Sequence, residues 1–363
     1  MNEKAKVLLV TLQGDNIGNR LQNYALQKVL QKRNCDVWNP YYDDNEIDDI
    51  FKKCKLLCKI FLGKIKIERF KVNYIRFKRK EVFKEFNDKY ISNQFKINYA
   101  ETLKKKWNQY DLAITGSDQV WHNWSNNKFE LEYFYLEFID KDKRAAYAPS
   151  FGFDDFPQQD VELHREGLSG IKYLSSRENK GIELIKSITG RDAILVLDPT
   201  ILLERNEWES IEKKPNTKID INGKYVVVYF LGQMNVKEEI YNFAKKRGLA
   251  VVNAFDPESV NSQLITPDNF VWLVHNAEYV FTDSFHASVF SILFNKRFLV
   301  FRRKENGMEG MFDRIQTLMD IFGTESRIYN GKVESIIDGY QVNDIEELRR
   351  ESLRYIDNML KMK

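Results

Sequence analysis

Short apolar runs that each stop at a cluster of small polar residues constrain what this chain can fold into more than any other feature. Lys6 to Leu12 (KVLLVTL) stops at the loop Gly14 to Arg20 (GDNIGNR), and DLAITGSDQVW gives a strand to Thr115 followed by Gly116, Ser117, Asp118 and Gln119. KRAAYAPSFG ends at Ala148-Pro149-Ser150, YLSSREN ends at Ser175-Ser176 and passes Arg177 and Glu178 into a helix, and AILVLDPTILL ends at Asp198-Pro199. Runs this short and apolar read as buried parallel strands, and the amphipathic stretches between them as crossover helices. In the first such helix Leu21, Ala25 and Val29 share one face. Strands wound this way end on one edge of the sheet, so the polar clusters converge on a single crevice.

The pattern restarts near Glu204. KYVVVYFLG (Lys224 to Gly232) is a strand, VKEEIYNFAKKRG a helix that Gly248 is placed to end, and LAVVNAF the next strand. TPDNFVWLVHNA opens a helix with Thr266 as cap and Pro267 at the first helical position. Two more helical patterns, MFDRIQTLMDIFG and NDIEELRRESLRYIDNML, close the chain. The fold class expected is α/β with two Rossmann-like domains, residues 1–203 and 204–363, facing each other across a cleft.

Glu278 to Phe301 (EYVFTDSFHASVFSILFNKRFLVF) concentrates the chemistry of the second unit. A strand to Phe281 meets the turn Thr282, Asp283, Ser284 and opens directly into a helix, which leaves unpaired backbone N–H groups at the helix start. His286, one of four histidines, lies in that first turn, beside any anion held there and able to exchange a proton near neutral pH. The structural alternative is a buried histidine, with Asp283 or Ser284 capping the helix.

Composition narrows the class. With 43% hydrophobic and 30% charged residues the chain is globular, and a net charge of +3 argues against a dedicated nucleic-acid binder. Cys35, Cys54 and Cys58 have neither disulfide-framework nor zinc-like spacing, so no metal is expected and the thiols read as reduced, in a cytoplasmic protein. No secretion signal opens the chain and no apolar run approaches membrane-spanning length. About residues 41–100 the texture changes: lysine and arginine interleave with Leu, Ile and Phe, and Glu68 is the only acid between Phe51 and Lys80. This is a basic helical insertion. It is either a solvated helix face or a surface that docks on an anionic membrane or a lipid-linked pyrophosphate.

Taken in order, GDNIGNRLQNYAL, ITGSDQVW, AAYAPSFG, LSSREN, LDPTILL and TDSFHASVFSILFNKRF resemble the polysaccharide pyruvyl transferase family from about Val7 to Phe301. The resemblance implies a GT-B-like arrangement of the two domains. It also implies transfer of the pyruvyl group of phosphoenolpyruvate onto two hydroxyls of a sugar in a bacterial surface polysaccharide or its lipid-linked precursor. Phosphoenolpyruvate is then a co-substrate and no other cofactor is needed. His286 falls at the family's catalytic histidine, as general acid, with Asp283 beside it. Arg177, Ser176, Ser284, Gly116 and Ser117 are the donor-binding candidates, and Asp15, Asn16, Asn19, Asp118 and Gln119 the acceptor-binding ones. An ion pair with Glu178 or another acid is the alternative for Arg177, and turn or cap chemistry for the loop residues. Many members carry arginine two residues before the histidine, where this chain has Ser284. Donor binding then falls to Arg177, to backbone N–H groups, or to Arg302, Arg303 or Arg314. Two other readings share the fold: a glycosyltransferase using a nucleotide sugar, and a non-catalytic glycan-assembly subunit.

Overall fold

The apolar runs pair as their composition requires. A computed structural model of the chain describes residues 3–42, 67–124, 126–216, 223–256, 264–303 and 312–361, with residues 221, 259 and 262. Cys54, Cys58 and residues 43–66 of the basic insertion lie outside the described residues. The N-terminal sheet contains β1 (Ala5–Val10), β2 (Cys35–Tyr42), β3 (Gln94–Ile97), β4 (Leu112–Thr115) and β5 (Arg144–Ala146), all parallel, in the order β3-β2-β1-β4-β5. A parallel pair, β6 (Ser175–Ser176) and β7 (Ile194–Leu195), continues this edge through the bridge between Ala145 and Tyr173. The C-terminal sheet contains β8 (Tyr225–Tyr229), β9 (Ala250–Asn253), β10 (Tyr279–Thr282) and β11 (Arg297–Val300), again all parallel, in the order β11-β10-β8-β9. Two doubly wound sheets put every strand's C-terminal end on one of two facing edges.

Helix α1 (Ile17–Gln31) begins earlier than the GDNIGNR loop implied. Asn16 caps it by accepting a 2.8 Å hydrogen bond from the Gly18 N–H, so Gly18, Asn19 and Arg20 are helical and buried. The stretch of about residues 41–100 expected as a basic helical insertion is not helical throughout: α2 (Ile67–Tyr90) puts Phe83 and Phe86 into the main core cluster, but Gln94–Ile97 is β3, paired with β2 in the N-terminal sheet. The remaining helices are α3 (Tyr99–Leu103), α4 (Lys128–Phe134), α5 (Val161–Gly170), α6 (Asn179–Thr189), α7 (Pro199–Leu202), α8 (Arg205–Glu209), α9 (Lys237–Lys246), α10 (Pro267–Asn276), α11 (Phe285–Leu293), α12 (Asp313–Phe322) and α13 (Glu346–Leu360). Thr266 and Pro267 open α10 as the sequence predicts, and Gly248 follows α9 with a φ of +64°. Among the described residues no helix is long and apolar enough to cross a membrane.

One continuous hydrophobic cluster joins the sheets, from Val7 and Leu9 to Val227 and Val280. Trp208 sits at its middle, fully buried: its ring is 5.7 Å from Tyr24 of α1 and 4.8 Å from Phe290 of α11, and its Nε1–H donates to Thr200 O. The sheets divide near residue 204, yet α13 returns to the N-terminal half. There Tyr355 Oη donates to Ala146 O at 3.0 Å and Ser352 Oγ accepts from Leu197 N at 2.9 Å. Trp208→Ala should cost about 3–5 kcal/mol, read as a lower urea midpoint, with Trp208→Phe losing much less. An unchanged midpoint for the alanine variant would remove Trp208 as the link between halves.

Candidate functional site

The strand ends meet in a cleft of about 480 Å³ between the two sheets. From the N-terminal half Thr11, Gln13, Asn16, Asn19, Asp118 and Gln119 line it, with an aromatic group described below; from the C-terminal half come Leu231, Ser284, Phe285, His286, Arg303 and Arg314. Ser284 caps α11, its side chain accepting from Ala287 N at 3.5 Å. His286 therefore stands in the first helical turn and borders the cleft, 6% exposed. Its ring lies directly against α1: a Cβ built on Gly18 would come within 2.1 Å of His286 Nδ1. Glycine at position 18 thus serves a close approach between the halves.

Behind the cleft wall lies a charge network. Arg177 donates from NH1 to Asp198 at 2.8 Å and from NH2 to Asp118 at 2.9 Å, with Glu178 3.6 Å from its Nε. Asn19 Nδ2 donates to Asp118 Oδ2 at 2.6 Å, while Ser117 Oγ and Thr200 Oγ1 donate to the two oxygens of Asp198. Phe285 of α11 covers the Arg177 guanidinium, 4.4 Å away. Arg177 is the best-partnered cation of the site and does not border the cleft. A fork already filled by two carboxylates is an unsuitable donor clamp.

The other candidates sort by the same test. Asn16, Asn19, Asp118, Gln119, Ser284 and His286 border the cleft. Ser117 and Ser176 are fully buried, and Ser176 Oγ donates to Pro149 O. Gly116, at φ +132°, is pressed against the Tyr147 carbonyl, where no side chain fits. Asp15 is exposed, and its carbonyl accepts from Arg79. Asp283 accepts from Leu231 N, Gly232 N and Arg303 Nε at 2.7, 2.8 and 3.0 Å, so it aims Arg303. Arg302 instead stacks on Phe312, 3.9 Å away. Sequence reasoning left out Asp198, visible as a strand end, because its place beside His286 depends on contact between the sheets. His286 Nε2 is 3.8 Å from Asp198 Oδ1.

Electrostatics follow from burial and these partners. Burial pushes the His286 imidazole below its ordinary range, more than Asp198 and Asp118 raise it, so the resting ring is neutral at pH 7. Burial opposes ionisation of Asp118, yet Arg177, the His286 ring once acid has protonated it, and Arg314 outweigh burial and hold that carboxyl at about 2. Burial also lowers Arg314 to about 10, leaving it charged, with an Nε that has no partner among the described residues. Glu178 is raised by burial toward its neutral form.

Two parallel α/β sheets with a polar cleft at their facing C-terminal edges define an α/β protein whose strand-end loops from both halves surround one cavity. Residues 16–305 match the polysaccharide pyruvyl transferase family, and the chain belongs to it. It is accordingly a transferase of polysaccharide biosynthesis. No curated protein sequence matches the chain. Among solved structures it is similar to a UDP-GlcNAc 2-epimerase from Neisseria meningitidis bound to UDP-GlcNAc, at 13% identity and TM-score 0.45 over 98% of this chain and 93% of that one. A second is a putative UDP-N-acetylglucosamine 2-epimerase from Listeria monocytogenes, at 10% identity and TM-score 0.46 over 99% and 90%. A third is Anabaena HepE in complex with UDP and glucose, at 10% identity and TM-score 0.41 over 99% and 91%.

By proton NMR the His286 ring should titrate below 6.5, and Asp198→Asn should lower the midpoint further by removing the nearest negative charge. A midpoint that rises in this variant would contradict the geometry. Because Asp118 has a lower pKa folded (about 2) than its ordinary 3.8, it contributes stability above about pH 4 that is lost as pH falls toward 2. Asp118→Asn should therefore remove about 2 kcal/mol at neutral pH and flatten the acid limb of stability against pH. An unaltered limb would show the ion pair to be weak.

Proposed function

We propose that the cleft binds phosphoenolpyruvate and transfers its pyruvyl group to two hydroxyls of a sugar, with His286 carrying the proton. The observation that supports this most directly is the meeting of His286 with two cleft-facing arginines, Arg303 and Arg314, at the start of α11. The guanidiniums and the first N–H groups of the helix suit a phosphate and a carboxylate side by side. This gives the donor cations without the arginine that many family members carry at position 284 of this chain.

In the resting site Arg177, Arg303 and Arg314 are interleaved with Asp118, Asp198, Asp283 and Glu178. A trianion entering beside His286 raises the proton affinity of the ring, which is neutral until then. The donor thus loads its own acid. Imidazolium protonates the methylene carbon of the enol, and the adjacent carbon, now electrophilic, accepts the oxygen of the first hydroxyl. That hydroxyl's proton returns to His286. The carbon–oxygen bond to phosphate then breaks, the second hydroxyl closes the ketal, and its proton leaves with the phosphate. Asp198 and Asp118 stabilise the charged ring at each return.

Calorimetry with phosphoenolpyruvate in buffers of differing ionisation enthalpy tests the loading step. Binding should take up a proton and tighten as pH falls toward the free ring's range. His286→Ala should abolish the uptake, and Arg314→Ala should weaken binding by about tenfold or more. Absence of binding at millimolar donor, or uptake that survives His286→Ala, would overturn the reading.

A further inference from the structure

The N-terminal half of the cleft lining is rich in aromatic rings. Tyr42, at the end of β2, stacks on Tyr99, the first residue of α3, with centroids 4.2 Å apart and planes 14° from parallel. Tyr99 continues onto Tyr133 of α4 at 4.7 Å. Trp124 lies in the loop after β4, fixed by His122 against its ring at 4.1 Å and by its Nε1–H donating to Gln119 O at 3.3 Å. These residues border the same cleft as His286. Trp124 is 47% exposed and Tyr42 37%, although an aromatic ring gains most by being covered. Neither ring is needed to fill the core beneath.

The cleft's arginines and histidine come from the C-terminal half, whereas among the described residues the N-terminal half supplies the tyrosines and Trp124, the carboxylates of Asp118 and Glu130, and the amides of Asn16, Asn19 and Gln119. A pyranose fits: its C–H face covers an aromatic ring while its hydroxyls donate to a carboxylate and exchange hydrogen bonds with amides. A volume of about 480 Å³ also holds more than phosphoenolpyruvate alone. We propose that Tyr42, Tyr99 and Trp124 form the acceptor platform, on which a neutral sugar ring stacks with its hydroxyls turned toward the donor end, and that Glu130 selects its hydroxyl pattern. This rests on the pyruvyl-transfer reading for what happens next, and on the cleft alone for the binding.

The test is saturation-transfer NMR and calorimetry with methyl β-D-glycosides of glucose, galactose, N-acetylglucosamine and N-acetylmannosamine, with uridine as the planar competitor. At least one glycoside should bind saturably at millimolar concentration. Trp124→Ala and Tyr42→Ala should each weaken it by about tenfold, Tyr42→Phe should retain it, and the affinity for phosphoenolpyruvate should change less than about twofold in all three. The proposal is overturned if no glycoside binds, if the alanine variants bind it as the wild type does, or if uridine alone occupies the platform. If wild-type protein binds the glycoside but not phosphoenolpyruvate, the platform stands and the donor reading fails.

Discussion

Arg177 held between Asp118 and Asp198 is the interaction on which the rest of the site depends. The two carboxylates belong to different strand-end loops, and the guanidinium spanning them fixes those loops relative to each other. Removing either carboxylate would leave the buried guanidinium short of one partner, with the other still bound to it. Through Asp198 the same network reaches His286, and through Phe285 it reaches the start of α11. The electrostatic environment of the histidine is therefore set in the N-terminal half, although the histidine belongs to the other.

Burial is what makes that environment matter. His286 is desolvated enough to rest neutral, yet lies within reach of two ionised carboxylates that would favour its charged form. The opposing effects leave a ring whose protonation responds to one more nearby charge. Gly18 lets the ring pack directly on helix α1, and Asp283 aims Arg303 into the same cleft. Each is a positioning contact between elements distant in sequence.

Much of the fold was legible because parallel strands buried on both faces are written as short apolar runs, and their polar ends as loops. KVLLVTL, DLAITGSDQ and KYVVVYFLG each announced a strand and the edge it would end on. The start of α1 was misplaced because Gly14 and Gly18 looked alike locally, whereas only Gly18 meets another element. Arg177 was recognised as important, but its partners stand 59 and 21 residues away, and nothing local tells a ligand clamp from an ion pair. Composition does not tell core aromatics from surface ones, so the grouping of Tyr42, Tyr99 and Trp124 on one cleft emerges only once β2, α3 and the loop after β4 are brought together.

Two classes of arginine share one small site: Arg177 locked by carboxylates, and Arg303 and Arg314 bordering the cleft. A crystal structure of the protein with phosphoenolpyruvate bound separates them most directly. It should show phosphate and carboxylate oxygens on Arg303, Arg314 and the first turn of α11, with Arg177 still bridging Asp118 and Asp198. A donor held by an Arg177 released from both carboxylates, with Arg314 turned away, would contradict it.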